Sequence, residues 1–213
     1  MTIHEVRSHW WPRTGWRPGR LVYTWHLTFE HAPRLHRLAE RYQSALAATE
    51  GHNPIPVSWL HLTVQSVGFV DEVSGERLAR VIEAVSARLG ELKPVELTFH
   101  RPTVVGEAVV LVPAPAEPVR QIWREIRAGI AEVSDGGASA QQAKDFHPHV
   151  SLTYFNAPGP AGPYVEALDA VEAEPVGVNV EQVALIVQER VLEPEWVYRW
   201  NLHTTAPLAI PVR

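Results

Sequence analysis

Two short stretches place an imidazole two residues ahead of a hydroxyl inside an apolar run. They are WLHLTVQSV at 59–67, with His61 and Thr63, and FHPHVSLTYF at 146–155, with His149 and Ser151. The chain holds 11 histidines, so a single triplet of this kind says little. A pair in matching contexts calls for a chemical reason. Splitting a cyclic phosphodiester needs a base to activate water and an acid to protonate the leaving oxygen. Histidine suits both roles because its ordinary pKa of about 6.5 lies near working pH. The two imidazoles must then converge across one cleft, on opposite sides of the phosphorus, one neutral and one protonated. The Thr63 and Ser151 hydroxyls can donate to the non-bridging oxygens and stabilise charge as it develops. Such a site calls for no metal and no cofactor.

Strand geometry adds further candidates. Side chains on a strand alternate between faces, so Gln65 shares a face with His61 and Thr63, and Thr153 with His149 and Ser151. Both are expected to contact the substrate. Tyr154 has the opposite parity and belongs to the core unless the strand twists or bulges there. Two other triplets fit the pattern. His26-Leu27-Thr28 makes His26 a candidate for lining the cleft, whereas His203-Thr204-Thr205 reads as ordinary strand. His147 and His149 mimic a two-histidine metal pair, but Pro148 separates them and no acidic or cysteine partner stands at ligand spacing. The competing explanation for each histidine is a ring bonded to backbone within a sheet, and for Thr63 and Ser151 it is simple strand preference. The pairing lifts the chemical reading above both.

The elements that must position these residues alternate along the chain. Residues 21–29 read as a strand rich in β-branched and aromatic residues. Leu35, Leu38, Ala39, Tyr42 and Leu46 form a helical stripe, ended by Asn53, Pro54 and Pro56. The first histidine stretch follows as a strand. Ser74 can cap a second helix, with Leu78, Val81, Ile82, Val85 and Leu89 as its stripe. Residues 95–100 and 108–113 look like a strand pair, and Val119, Ile122, Ile126, Ile130 and Val133 mark a third helix. Residues 134–143 are a loop by composition. After the second histidine strand, 157–163 is a turn-rich loop leading toward a short helix, and 178–189 and 197–205 close the chain as strands. The two motifs lie roughly 90 residues apart, each preceded by a helix and a loop, as in a two-lobed protein with approximate internal symmetry. No linker is polar or long enough to mark a boundary within 21–213.

Composition narrows the function classes. A net charge of −5 argues against binding long duplex DNA, while leaving room for a nucleotide or an RNA end in a local pocket. There is no cysteine, which excludes disulfides, thiolate metal sites and cysteine nucleophiles and fits the cytoplasm. No apolar run is long enough for a membrane span, and residues 1–13 lack an apolar core of signal-peptide length. A monomer is expected.

HLTV at 61–64 and HVSL at 149–152 resemble the paired His-x-Thr/Ser motifs of the 2H phosphoesterase superfamily, in particular its 2′-5′ RNA ligase-like group. The order of strands and helices is similar over about 20–206. The resemblance implies an α+β fold of two pseudo-symmetric lobes, each an antiparallel sheet with helices on its outer face, with the active-site cleft between the sheets. It implies hydrolysis of a 2′,3′-cyclic phosphate or a 2′-5′ phosphodiester on a nucleotide or RNA end, with 2′-5′ ligation as a related activity. A nucleotide- or RNA-end-binding module without turnover is the alternative. There is one departure: where family members often carry an arginine soon after the second motif, this chain has Tyr154.

The arm formed by residues 1–20 stands apart. HWWPRTGWRPGR at 9–20 concentrates three tryptophans and three arginines. It can fold over the cleft, with tryptophan stacking on a base and arginine meeting phosphate. The favoured expectation is packing, with the tryptophans plugging a sheet edge or the gap between lobes.

Overall fold

The computed structural model describes residues 3–133 and 146–209, so the loop expected over 134–143 lies outside the described residues. In chain order the elements are β1 (Glu5–Val6), β2 (Leu21–Thr28), α1 (Pro33–Leu46), β3 (His52–Pro54), β4 (His61–Phe69) and α2 (Gly75–Leu89). Next come β5 (Val95–Phe99), β6 (Thr103–Val105), β7 (Ala108–Leu111), β8 (Pro113–Ala114) and α3 (Glu117–Val133). The chain closes with β9 (Val150–Phe155), β10 (Gly159–Pro160), α4 (Gly162–Asp169), β11 (Val176–Val180), β12 (Gln182–Val191) and β13 (Val197–Pro207). Over the described residues this is an α+β fold with four α-helices and several antiparallel sheets.

The helices form where the apolar spacing places them, and they bury those stripes. All five stripe residues of α1 are buried. On α2, Leu78, Val81, Val85 and Leu89 are buried, and the Ser74 side chain accepts a 3.2 Å hydrogen bond from the Arg77 backbone N–H at the helix start. On α3, Val119, Ile122, Ile126 and Val133 are buried. Gly129 lets α3 approach α2 closely, because a Cβ there would lie 2.8 Å from a Val85 methyl and 2.9 Å from the Val85 backbone nitrogen. Among the described residues no helix is long and apolar enough to cross a membrane.

Two four-stranded sheets frame the molecule, in the orders β13-β12-β2-β4 and β3-β9-β7-β6. Helices α2 and α3 pack against the first, and α1 and α4 against the second. The chain crosses between them repeatedly: the helix after β2 covers the second sheet, while β4 returns to the first. No cut in the sequence therefore separates the two sheets, and a single cluster of buried residues runs through both.

Two strand expectations need correction. The segments 95–100 and 108–113 pair only at their ends, Phe99 with Pro113: β5 lies between β11 and β8 in a small third sheet, and β7 forms a hairpin with β6 instead. The region 178–189 is two strands rather than one, β11 in the small sheet and β12 in the first. The burial changes character between them: β11 buries only Val176 and Val180, whereas β12, inside its sheet, buries Val183, Ala184, Leu185 and Ile186 in a row. The segment His52–Pro54 that follows the first helix forms β3 at a sheet edge, where the missing N–H of Pro54 is tolerated.

Candidate active site

A cleft of about 580 Å³ is lined from both four-stranded sheets and from the N-terminal arm. His61, Thr63 and Ser66 come from β4, Ser151 and Tyr154 from β9, and His149 from the residue just before β9. The two histidine–hydroxyl pairs thus share one cavity.

Both rings are held in the same way. His61 Nδ1 lies 2.7 Å from the Trp59 carbonyl oxygen, and His149 Nδ1 lies 2.8 Å from the His147 carbonyl oxygen. A carbonyl oxygen only accepts, so each Nδ1 carries the hydrogen and each neutral ring keeps its lone pair on Nε2. In both cases the acceptor is the carbonyl two residues earlier, so the tautomer is fixed by the segment entering the strand.

A second shared device decides which neighbours reach the cleft. In the pairing of β2 with β4, Trp25 opposes Gln65 and His26 opposes Thr63, which leaves Val64 as an extra residue. In the pairing of β7 with β9, Val109 opposes Thr153 and Val110 opposes Ser151, which leaves Leu152 extra. Each is a β-bulge one residue past the motif hydroxyl, and an extra residue reverses the alternation of every side chain beyond it. Ser66 and Tyr154, three residues past Thr63 and Ser151, therefore line the cleft.

The same reversal corrects the expectation for Gln65 and Thr153. Gln65 does not line the cleft, and its amide donates to the Ser66 carbonyl. Thr153 is fully buried, its hydroxyl donating to the Asn53 carbonyl at 2.8 Å and lying 2.8 Å from His52 Nδ1. It ties β3 to β9. Tyr154 goes the other way: the bulge brings it into the cleft, hydrogen-bonded to Ser151, and burial pushes its phenol well above the ordinary range, so it stays protonated.

His26 is also not a lining residue. It is fully buried on β2 and stacks beneath His61, with ring centroids 4.5 Å apart and planes at 10°. Its Nε2 lies 3.1 Å from Thr63 Oγ1, and its buried Nδ1 has no partner. An orphaned buried N–H is rarer and more costly than an orphaned lone pair, so the hydrogen sits on Nε2 and donates to Thr63. The Thr63 hydroxyl hydrogen is then left for a ligand in the cleft. His203 lies elsewhere, edge-on to Tyr23.

The electrostatic settings of the two motif histidines differ. His61 is 7% exposed, and burial drives its pKa down to about 4, with His149 adding to the depression and the Trp59 carbonyl opposing it. His149 is exposed to solvent. His26 is held far below the ordinary histidine range by burial and by His61. Both inner imidazoles are therefore neutral near pH 7. Among the described residues no group of three or more His, Cys, Asp and Glu side chains is placed to hold a metal ion.

The arm does two things at once. Trp10 is 6% exposed and packs between Tyr154 of β9 and Tyr198 of β13, with centroids 5.5 and 5.3 Å away, so it fills the gap between the sheets. His9, Arg13 and Trp16 line the cleft instead. His9 stacks on Tyr154 at 4.1 Å, and burial, reinforced first by Arg13, lowers its pKa to about 3. Arm positions 9 and 13, together with Ser66, are cleft residues that the motifs alone could not reveal. The density of arginine and aromatic residues in the arm was the available signal.

The sequence pattern of the 2′-5′ RNA ligase superfamily matches residues 31–192, about three quarters of the chain. No curated protein sequence matches. Among solved structures, TT0787 of Thermus thermophilus is similar with a TM-score of 0.63 and 23% identity, over 89% of this chain and 97% of that one. LigT of E. coli complexed with 3′-AMP is similar with a TM-score of 0.59 and 17% identity, over 89% and 98%. The complex of the same protein with NADP+ gives a TM-score of 0.58 and 19% identity, over 92% and 100%. At these identities the likeness shows the fold.

Proposed function

The chain belongs to the 2′-5′ RNA ligase superfamily, and from that premise we propose that it is a metal-independent phosphodiesterase acting on a 2′,3′-cyclic phosphate or a 2′-5′ linkage of a nucleotide or RNA end. One observation carries this reading. Two imidazoles in one cleft each donate Nδ1–H to a carbonyl and keep Nε2 as the basic atom, and each has a motif hydroxyl beside it. The two halves of the molecule act as pseudo-symmetric lobes around the phosphate, each contributing one His–hydroxyl pair.

In hydrolysis, water attacks the phosphorus and gives its proton to one Nε2. The bond from phosphorus to one ribose oxygen breaks, and the other imidazole protonates that oxygen. The products are a phosphomonoester and a free hydroxyl, with one water consumed. The depressed pKa of His61 favours it as the base, since the ring is neutral at the start of the cycle. The acid role then falls to the other imidazole, His149, which gives its proton to the leaving oxygen. Thr63, Ser151 and Tyr154 supply hydroxyls for the non-bridging oxygens. The ligands named for LigT, 3′-AMP and NADP+, support a nucleotide as the substrate class.

The test is turnover of 2′,3′-cyclic nucleotides, ADP-ribose cyclic phosphate and 2′-5′ dinucleotides in the presence of EDTA. Turnover of at least one of them with chelator present is expected. Activity that vanishes with chelator and returns with zinc or manganese contradicts the metal-free mechanism. Tight nucleotide binding with no turnover of any of the three classes favours the binding-module reading.

A further inference from the structure

The two motifs bring hydroxyls and imidazoles to the cleft but no permanently charged group, and a phosphate diester or monoester is an anion. We propose that Arg13, from the N-terminal arm and outside the segment matched to the superfamily, binds the phosphate held between the motifs. The inference rests on the phosphodiesterase reading and adds a residue, and a segment, to its site.

Arg13 lines the cleft but holds no short partner there. Its Nη2 lies 3.4 Å from His9 Nε2, 3.5 Å from the His9 carbonyl and 3.5 Å from Glu107 Oε2, all longer than good charge-assisted bonds of about 2.7–2.9 Å. Its Nε is shielded from solvent with no acceptor at all. A buried N–H left unpaired is costly, and an anion in the cleft would relieve it.

The surrounding charge favours an anion too. Glu107 is the carboxylate at this end of the cleft, and it already meets Arg7 at 3.0 Å, Trp11 Nε1 at 3.0 Å and His9 at 3.3 Å. Behind Trp10, Arg190 is 6% exposed, has no ion pair among the described residues and has an unpartnered Nε. Arg7, Arg13 and Arg190 thus stand against one carboxylate, in a chain whose net charge is −5. The excess is local and positive.

Arg13 also stands where a motif cation would help. Its charge acts on Tyr154, the neutral residue three positions past Ser151, and on His9, which feels both His61 and His149. The arm is anchored to hold it there. The Arg7 N–H donates to the Gly106 carbonyl and the His9 N–H to the Phe155 carbonyl, both at 2.8 Å, and β1 pairs with β10. Arg190 Nη2 holds the Trp11 carbonyl at 3.0 Å.

The experiment measures inorganic phosphate binding by calorimetry at two salt concentrations, and kcat and KM on the best cyclic phosphate. The proteins are wild type, Arg13→Gln, Arg13→Lys and Glu107→Gln, each with its melting temperature. Arg13→Gln should weaken phosphate at least tenfold and reduce the salt dependence of binding, with an unchanged melting temperature. Arg13→Lys should recover part of the loss, because it keeps the charge but not the planar fork. Glu107→Gln should tighten phosphate several-fold by removing the competing carboxylate. Wild-type affinity in Arg13→Gln overturns the proposal. Should that variant fail to fold, unchanged affinity in both Arg13→Lys and Glu107→Gln overturns it. Phosphate binding that depends on Arg13 in a protein without turnover leaves this inference standing while the phosphodiesterase reading falls. Turnover that ignores Arg13 does the reverse.

Discussion

The two motif strands are alike in local construction and opposite in setting. Each ends its approach with a carbonyl holding the histidine Nδ1–H, and each bulges one residue past its hydroxyl. Yet β4 is the edge of its sheet and carries a buried His61, whereas β9 lies inside its sheet and follows an exposed His149. Strand position does not explain this. His61 is covered because β2 places His26 flat beneath it, and no such ring underlies His149 among the described residues. Local chain geometry therefore fixes which nitrogen is basic, and the packed neighbour fixes how readily that nitrogen takes a proton.

Replacing each histidine in turn is the strongest way to break the comparison. His61→Ala and His149→Ala should each lose about 10²–10⁴-fold in kcat, since each removes a proton transfer. Their stabilities should part company. His149→Ala should melt with the wild type, while His61→Ala should lose about 1–3 kcal/mol by removing the ring that donates to Trp59 and covers His26. Full activity in either variant rules out the two-histidine mechanism, and equal melting curves erase the buried–exposed distinction.

Acid sharpens the same contrast. Above pH 6.5 His61 is neutral both folded and unfolded and contributes nothing to pH dependence. Between 6.5 and its folded pKa of about 4, the unfolded chain takes up a proton that the folded chain refuses, so stability falls as pH falls. At about 1.4 kcal/mol per pH unit the loss from His61 approaches roughly 3 kcal/mol at pH 4, and His9 and His26 act in the same direction. Urea unfolding from pH 7 down to 4.5 should show this decline, and His61→Asn should make it shallower. A slope unchanged in His61→Asn would contradict the buried, neutral state of that ring.

The hydroxyls come next. Thr63→Ala and Ser151→Ala each remove one hydrogen bond to the phosphate and should lose about tenfold to a hundredfold in kcat/KM. Kinetics that show no loss in either variant would remove the hydroxyls from the reaction. The smallest effect is expected beneath the site. His26→Gln keeps a donor but not the ring, so kcat should fall by only about three- to tenfold, through poorer orientation of Thr63 and His61. If Thr63→Ala already removes that benefit, adding His26→Gln to it should cost less than His26→Gln alone. Strictly additive losses would mean that His26 does not act through Thr63.

Much of the positioning was legible in the residues. The stripes Leu35-Leu38-Ala39-Tyr42-Leu46 and Leu78-Val81-Val85-Leu89 became helices because the sequence itself supplies a 3.6-residue period. The paired motifs announced both histidines and both hydroxyls, and the bond from each Nδ1 to a carbonyl two residues away needs nothing beyond the local chain. Gln65 and Thr153 were assigned to the wrong face because simple alternation assumes an unbroken ladder. Whether Val64 or Leu152 is an extra residue depends on the register against β2 and β7, roughly 40 residues distant in each case. The depressed pKa of His61, the ring of His26 beneath it and the arrival of Arg13 from the arm are likewise products of tertiary packing. Burial and charge act through space, so the sequence by itself determined the two histidine–hydroxyl pairs of the cleft and the tautomers of their rings, while the folded chain alone decided the protonation of His61 and the companions of each pair.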